Sequence, residues 1–231
     1  MSKLLSRPRA TSALARVPSR ASARAEASEA TRERILAAAL AAFSERGFDG
    51  ASTRQIAARA GANLGLLQYH FGSKQDLWRA AVERAFAELR SGVEQALREP
   101  APADERERTR RLIRGYVRFV ARNPEFVRIM HDEGKRRGPR MRWLVDHHVK
   151  PLYQAFRAQL ERAQQRGALP AHVDALHFHY VLIGAVGLIF HQAEECKRLT
   201  GVDPSDPAVT EAHAEAVEHL LLGPARKEEA R

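Results

Sequence analysis

Apolar residues recur at helical spacing along most of this chain, and no alternating strand pattern of useful length is found. From Thr31, which is a suitable N-cap, the helical period continues until Gly47 interrupts it. Further helices are predicted at 52–60, 64–70, 73–97, 104–122, 124–133, 139–166, 172–200 and 207–222. Pro151 lies inside the segment 139–166 and is expected to kink or split it. The predicted fold class is therefore all-α.

Capping and turn residues divide the segment 52–71, STRQIAARAGANLGLLQYHF, into two short helices. The tetrapeptides 52–55 (STRQ) and 73–76 (SKQD) each have the spacing of a capping box, in which a serine and the residue three positions later cap a helix reciprocally. Gly61 stands where a left-handed turn is needed, and Asn63 caps the second helix. This pattern predicts a helix-turn-helix, whose second helix fits the DNA major groove. The alternative is a helical hairpin in an all-α core.

Composition predicts four consecutive regions. Residues 1–28 read as a basic disordered arm, because they are rich in Arg, Ser and Ala and contain no acid before Glu26. An organelle transit peptide has the same composition. A Pro-containing segment, 99–102, separates a helix-turn-helix domain at 29–98 from a helical domain at 101–223, and 224–231 is predicted to be a disordered tail.

The formal net charge of +10 indicates an anionic partner such as nucleic acid or a membrane surface. The excess is spread along the chain, with six basic against two acidic residues in 1–30, so no face can be assigned from it. Cys196 is the single cysteine, which excludes an intrachain disulfide and predicts a reducing, cytoplasmic location. The longest apolar run, 180–190, is shorter than the roughly 20 residues of a membrane helix, so no membrane partner is expected.

Residues 31–78, which include the stretch QYHFGSK at 68–74, resemble the DNA-binding domain of the TetR family of bacterial regulators without a gap. The C-terminal part has the family's length and helical rhythm. The resemblance implies a three-helix helix-turn-helix domain followed by a helical domain for ligand binding and dimerisation. It also implies a sequence-specific transcriptional regulator, a repressor released by a small-molecule effector. The partners expected on this basis are a second copy of the chain and double-stranded DNA with an inverted-repeat operator.

The resemblance also implies which residues contact DNA. Thr53 and Arg54 begin the helix that lies across the backbone, and Arg54 is suited to a bidentate contact with guanine. Tyr69 and His70 are the expected phosphate-contacting pair, and Lys74 joins the amides of the next helix to hold another phosphate. The recognition helix itself is implied to present Asn63, Leu64, Gly65, Leu66, Gln68, Tyr69 and His70.

Three of these positions depart from the family's common pattern. Leu64 and Leu66 are apolar where a polar or small residue is frequent, so contact with a thymine methyl is expected there. Gln68 replaces a frequent tyrosine and is suited to reading adenine.

In the C-terminal domain, the apolar run 180–190 includes Gly184 and Gly187, which permit close approach of a second helix. Because a helix that is apolar on all sides must be buried, this helix and the last one are predicted to form a four-helix dimer interface. The resemblance implies a ligand pocket, for which the candidate lining residues are Tyr116, Phe119, Phe126, Met130, Trp143, His147 and Tyr180. The alternative is that these side chains are ordinary core.

Neither a metal site nor a cofactor is predicted. His191 and Glu194 share a helix face, with Cys196 nearby, but no ligand cluster of known spacing is present. An enzyme is also not expected, because no nucleophile–base arrangement, phosphate-cradling glycine loop or carboxylate pair stands out. The alternative to a regulator is an architectural helical DNA-binding protein that lacks sequence-specific regulation.

Overall fold

A computed structural model describes residues 20–98 and 104–223, and within these ranges every regular element is helical. The all-α prediction is confirmed. The N-terminal helices are α1 (Arg20–Gly50), α2 (Thr53–Arg59), α3 (Leu64–Phe71) and α4 (Lys74–Arg98). The remaining helices are α5 (Glu105–Arg122), α6 (Pro124–Gly134), α7 (Pro139–Leu144), α8 (Lys150–Gln165), α9 (Ala175–His191), α10 (Ala193–Thr200) and α11 (Pro207–Leu222). The predicted interdomain segment 99–102, the first 19 residues of the arm and the tail lie outside the described residues.

The first four helices enclose one apolar core. Ile35 and Phe43 of α1, Leu67 of α3 and Trp78 of α4 are all 2% exposed or less. Each such side chain stabilises the fold by about 1.5–3 kcal/mol through burial. This core fixes α2 and α3 relative to α1 and α4, so the surface of α3 is presented by a rigid support.

Helix α1 begins earlier than the sequence pattern predicted. It starts at Arg20, so Thr31 is an interior residue whose hydroxyl donates to the carbonyl of Ala27 at 2.9 Å, and the prediction of Thr31 as N-cap was wrong. Residues 20–28, which were assigned to a disordered arm, are helical. The end of α1 agrees better with the prediction, because Gly47 has a φ of 68° and breaks the helical path there.

The predicted caps have mixed outcomes. Asn63 caps α3, its side chain accepting from the amide of Leu66 at 2.8 Å. Ser73 caps α4 by accepting from the amide of Asp76 at 3.1 Å. The capping box at Ser52 was wrong, since the Ser52 side chain forms no capping hydrogen bond. Its expected partner, Gln55, instead accepts a hydrogen bond from Arg46 of α1.

Two long helices of the C-terminal domain differ from their predicted form. The segment 172–200 is two helices, α9 and α10, bent by 70° at Gln192, whose φ and ψ of −104° and 36° are not helical. The segment 139–166 was predicted to kink or split at Pro151. Its regular α-helical geometry is instead interrupted just before that residue, by a π-helical turn over Val145–Val149. Proline cannot donate the backbone bond of a regular helix, and the amide of Lys150 bonds the carbonyl of Val145, five residues back.

Helix α5 connects the N-terminal helices to the rest of the C-terminal domain, packing against both α4 and α11. Three arginines on α5 tie it to α11. Arg118 donates to Glu211 through two nitrogens at 2.6 Å, and Arg114 donates to Glu218 at 2.5 Å. Arg106 donates to the carbonyl of Gly223 at 2.7 Å.

Among the described helices, no single one is long and apolar enough to cross a bilayer. Helices α9 and α10 reach that length and composition only when taken together across their 70° bend.

Candidate functional site

The turn between α2 and α3 is built as a helix-turn-helix requires. Gly61 adopts a φ of 63°, a left-handed conformation that side chains other than glycine rarely take. The amide of Ala62 then donates to the carbonyl of Ala57 at 2.9 Å, which closes the turn. Leu67 and Phe71 anchor α3 in the core, so the opposite face of this helix points to solvent.

That outer face carries the predicted recognition residues. Tyr69 is 81% exposed and Leu66 is 40% exposed, and both lie beside the exposed Gln68. The Tyr69 ring meets His70 edge-on at 5.3 Å, and His70 is half-buried against Phe71. A protruding aromatic side chain that buries nothing within the chain is suited to contact a partner molecule.

The start of α3 is more constrained. Asn63 is exposed; its side-chain oxygen accepts the capping bond from Leu66, and its NH2 group, which makes no bond of the cap, can donate to DNA. A Cβ on Gly65 would lie 3.3 Å from that same oxygen, so a side chain there requires a small shift of the Asn63 cap. Leu64 is half-buried between these two exposed positions.

Two further predicted residues lie beside α3. Arg54, at the start of α2, is exposed, while its neighbour Thr53 is half-buried. All of these predicted positions are exposed or half-exposed, and together they are called the candidate DNA-binding surface, which consists of Thr53, Arg54, Asn63, Leu64, Gly65, Leu66, Gln68, Tyr69 and His70.

Lys74 stands apart from that surface, at the start of α4. Its ammonium group donates to the carbonyl of Asp49 at 3.2 Å and lies 4.8 Å from the centre of the Phe48 ring. Lys74 is therefore held against the end of α1. Sequence reasoning did not identify Phe48 and Asp49 as its partners, because nothing local links positions 25 residues apart.

Most of the predicted pocket residues join one aromatic cluster, although it also contains residues that were not predicted. Phe119 packs against Phe126 at 5.3 Å, and Phe126 packs edge-on against Phe86 of α4 at 4.9 Å. Beyond Phe86 the cluster continues to His148 and Trp143, with ring separations of 4.5 and 4.9 Å.

The predicted His147 lies at the outer edge of this cluster. It is exposed, stacks on Trp143 at 5.3 Å and places Nδ1 2.9 Å from the carbonyl of Trp143. The buried position is the next residue, His148. In a regular α-helix only the side chain four residues after Trp143 shares its face, but the wider π-helical turn places both His147 and His148 against Trp143, and His148 is the one that is buried.

The other pocket candidates are scattered. Met130 is half-buried, and Tyr180 is 67% exposed on α9, so the structure does not bring Tyr180 into the cluster. Tyr116 lies in the middle of α5, and burial raises the pKa of its hydroxyl to about 12. A separate cleft of about 300 Å³ lies between α1, α4 and the start of α6, and it is lined by none of the predicted residues.

Two family models match the chain, one for each domain. The model for "Bacterial regulatory proteins, tetR family" matches residues 35–81, and the model for "Tetracyclin repressor-like, C-terminal domain" matches residues 106–220. The chain belongs to the TetR family. The first match contains the whole of α2 and α3, and the second extends from α5 into α11.

The curated relatives of this chain are named as HTH-type transcriptional regulators. The transcriptional repressor NicS of Pseudomonas putida is 35% identical over 50% of this chain and 53% of its own length. The transcriptional activator FasR of Mycolicibacterium smegmatis is 35% identical over 44% of this chain and 45% of its own. These matches therefore span about half of each relative. The repressor SCO4008 of Streptomyces coelicolor is 28% identical over 67% of this chain and 76% of its own.

Solved structures share the TetR-family fold of this chain. The structure of AibR in complex with isovaleryl coenzyme A and operator DNA superposes with a TM-score of 0.67 and 22% identity, covering 84% of this chain and 100% of AibR. The fatty acid degradation regulator FadR from Bacillus halodurans superposes with a TM-score of 0.65 and 18% identity, covering 84% of this chain and 99% of FadR.

The TetR-family protein described here also exposes an apolar stripe on its C-terminal domain. Leu176, Tyr180 and Leu188 of α9 are 49–67% exposed and are spaced at multiples of four residues, with Gly184 completing the series. Leu220 of α11 is 80% exposed. In the described residues of the single chain this face of α9 is exposed, as expected of a helix that was predicted to be buried by a dimer interface.

Proposed function

We propose that this protein is a sequence-specific transcriptional repressor that a small-molecule effector releases from DNA. The observation that carries this function is the outer face of α3, where Gln68 and Tyr69 project from a helix anchored by Leu67 and Phe71. A helix supported in this way enters the major groove, where base edges distinguish all four base pairs. Of the three relatives reported above, NicS and SCO4008 are named repressors and FasR is named an activator, so repression is the sign of regulation that the larger number supports.

The DNA-bound form is a homodimer joined through α9 and α11. The exposed stripe of Leu176, Tyr180 and Leu188 is the kind of apolar surface that a soluble protein covers with a partner. A two-fold dimer presents two copies of α3 to successive major grooves, so the operator is an inverted repeat. The location that fits this function is the cytoplasm.

The effector binds in the C-terminal domain, within or beside the aromatic cluster. AibR has been crystallised with isovaleryl coenzyme A as well as with operator DNA, which is the arrangement proposed here. In this chain the cluster extends from Phe119 of α5 to Phe86 of α4, and α4 begins in the DNA-binding domain. A ligand that repacks these rings therefore acts on α4, which packs against α1 and α3 of the DNA-binding domain.

An architectural DNA-binding protein is the competing function, and the two make different predictions about sequence choice. Repeated selection of the full chain against a randomised duplex pool should enrich an inverted repeat. Footprinting should then show protection of two half-sites on one face of the duplex. Binding without any enriched sequence would favour the architectural function, and a single asymmetric site would contradict the proposed dimer.

A further inference from the structure

The imidazole of His148 is buried without any hydrogen-bond partner. This residue is 7% exposed, and neither Nδ1 nor Nε2 is bonded. Buried polar atoms are nearly always satisfied, because leaving them unpaired costs free energy. A leucine of similar volume would fill the same space without that cost, so packing alone does not account for a histidine here.

Aromatic rings enclose this imidazole. The Phe86 ring stacks on it at 4.5 Å with an interplanar angle of 8°, and the Trp143 indole meets it at 4.9 Å and 73°. Phe126 lies behind Phe86, edge-on at 4.9 Å. The rings that contact His148 are therefore aromatic, and the two nitrogens of the imidazole are polar atoms placed against them.

A positive charge lies at the edge of this enclosure. Arg90 is exposed on α4, one helical turn after Phe86 and hence on the same helix face. Within the described chain, Arg90 makes no ion pair. Burial, followed by the charges of Arg90 and His147, lowers the pKa of His148. The imidazole is thus neutral near pH 7, with one N–H to donate.

We propose that His148 and Arg90 form a carboxylate-binding site, and that the effector is a small monocarboxylate with an aromatic or branched apolar body. The guanidinium of Arg90 supplies the charge, and the N–H of His148 donates to a carboxylate oxygen. The rings of Phe86 and Trp143 contact the apolar body. This inference rests on the proposed function, since it names the chemical class of the effector.

Occupancy of this site also requires movement of Trp143. Both nitrogens of His148 are covered, and of the two rings in contact with the imidazole, Phe86 is buried and Trp143 is half-exposed, so Trp143 is the ring that can move outward. The same indole lies 5.7 Å from Trp78, which is fully buried in the DNA-binding domain. A carboxylate that displaces Trp143 therefore changes a contact between the two domains, which is how the site would regulate DNA binding.

The test uses the full chain with benzoate, phenylacetate and isovalerate as probes, each compared with its neutral amide. Trp78 and Trp143 are the two tryptophans of the chain, so in a Trp78→Phe background fluorescence excited selectively at tryptophan, and not at the four tyrosines, reports on Trp143 alone. At least one acid should shift this fluorescence at millimolar concentration and raise the melting temperature. The corresponding amide should bind at least about tenfold more weakly than the acid, because it lacks the charge-assisted hydrogen bonds.

Substitutions separate binding from stability. His148→Leu should raise the melting temperature of the unliganded protein and abolish the response to the acid. Arg90→Met should leave the melting temperature unchanged and weaken the acid about tenfold. Arg98→Met removes an exposed arginine two turns further along α4 and is the control; its ion pair with Glu94 is on the surface and contributes little, so it should change neither property measurably.

The assignment is overturned if none of the acids binds, if acid and amide bind equally, or if His148→Leu binds the acid as well as the wild type does. A lower melting temperature for His148→Leu would also overturn it, since the imidazole would then have a packing role. Operator selection is run in parallel. A chain that selects an inverted repeat but ignores the acids refutes only this inference, whereas failure to select any sequence refutes the proposed function.

Discussion

The guanidinium of Arg140, in the C-terminal domain, lies 4.1 Å from the centre of the Phe48 ring in the DNA-binding domain. The ammonium of Lys74 lies 4.8 Å from the same ring. Arg136 adds an ion pair to the neighbouring Asp49 at 3.6 Å. The C-terminal end of α1 is therefore contacted from both domains, and Lys74, which was predicted to contact phosphate, lies against the same ring as Arg140 of the other domain.

Arg140 is also the ion-pair partner of Glu133, whose carboxylate is 2.9 Å away and 5% exposed. Arg140→Met should lower the free energy of unfolding by about 3 kcal/mol, because a buried carboxylate is left without its partner. Urea denaturation measures this change. Arg142→Met, which removes an exposed arginine two residues away, is the control and should change stability little.

The double variant Arg140→Met with Glu133→Gln provides a second check. Removing both charges should restore part of the lost stability, since the uncompensated charge is no longer buried. Equal losses for Arg140→Met and the Arg142→Met control would show that the pair with Glu133 does not stabilise the fold.

Substitutions on the DNA-binding surface should fall into two groups. Lys74→Ala should weaken binding to all sequences and reduce the slope of log affinity against log salt by about one, because one phosphate contact is lost. Gln68→Ala and Arg54→Ala should relax preference at one base pair each, by about 1–3 kcal/mol. Titrations with the selected operator and with point-substituted operators measure both effects. Identical behaviour of the three variants would contradict this division.

The dimer prediction can be tested at a position where the single chain has room. A Cβ on Gly184 meets no atom within 4 Å, and this residue lies in the middle of the exposed stripe on α9. Gly184→Leu should therefore leave the protomer folded while it pushes the partner helix away, which shifts sedimentation toward the mass of the 25.8 kDa chain. Gly92→Leu is the control, because it also has open space but lies on α4. Dimers of equal strength in both variants would exclude α9 from the interface.

Stability should depend on pH through three histidines. Burial is the main cause that lowers the pKa of His131, His148 and His179 from the ordinary value near 6.5. Because the unfolded chain then binds protons more readily than the folded one, stability is fully present above about pH 6.5 and falls as pH decreases through the lowered pKa values. Urea denaturation between about pH 5 and 8 measures the slope, and His148→Leu should reduce it. A profile that is flat in this range would contradict the prediction.

The N-terminal segment remains a sequence-based prediction. Residues 1–19 carry four basic side chains and no acidic one, so their removal should reduce DNA affinity more at low salt than at high salt. The melting temperature and the selected sequence should stay the same. Changed sequence preference in the truncated chain would mean that this segment reads bases and does not act by charge alone.

The helix-turn-helix was predictable because its signals are local. Gly61 and Asn63 each specify a backbone conformation or bond within their own turn, and Leu67 and Phe71 fall on one face by helical period alone. Such local signals gave a wrong prediction where the same side chain has a second hydrogen-bond partner available. Thr31 bonds back into its own helix, so a residue type that favours caps does not start one there.

The effector region was less predictable for two physical reasons. The π-helical turn shifts the helical register by one residue, so the sequence period points to His147 when the buried imidazole is His148. The cluster also joins residues far apart in sequence, such as Phe86 and Phe126. Tyr180 was mispredicted in the opposite direction. Its neighbours in sequence are apolar, which favoured a buried position, but its side chain is exposed.

The hydrogen bonds between α5 and α11 have a consequence for a cell that expresses both the wild-type chain and a variant of it. Arg114, Arg118 and Arg106 fasten α11 to its own chain, so protomers that meet through exposed faces can part without unfolding or exchanging a helix. Mixed dimers should then form freely. A copy that dimerises but lacks the Tyr69 side chain would draw intact protomers into pairs with one working DNA contact, and such an allele should be dominant-negative.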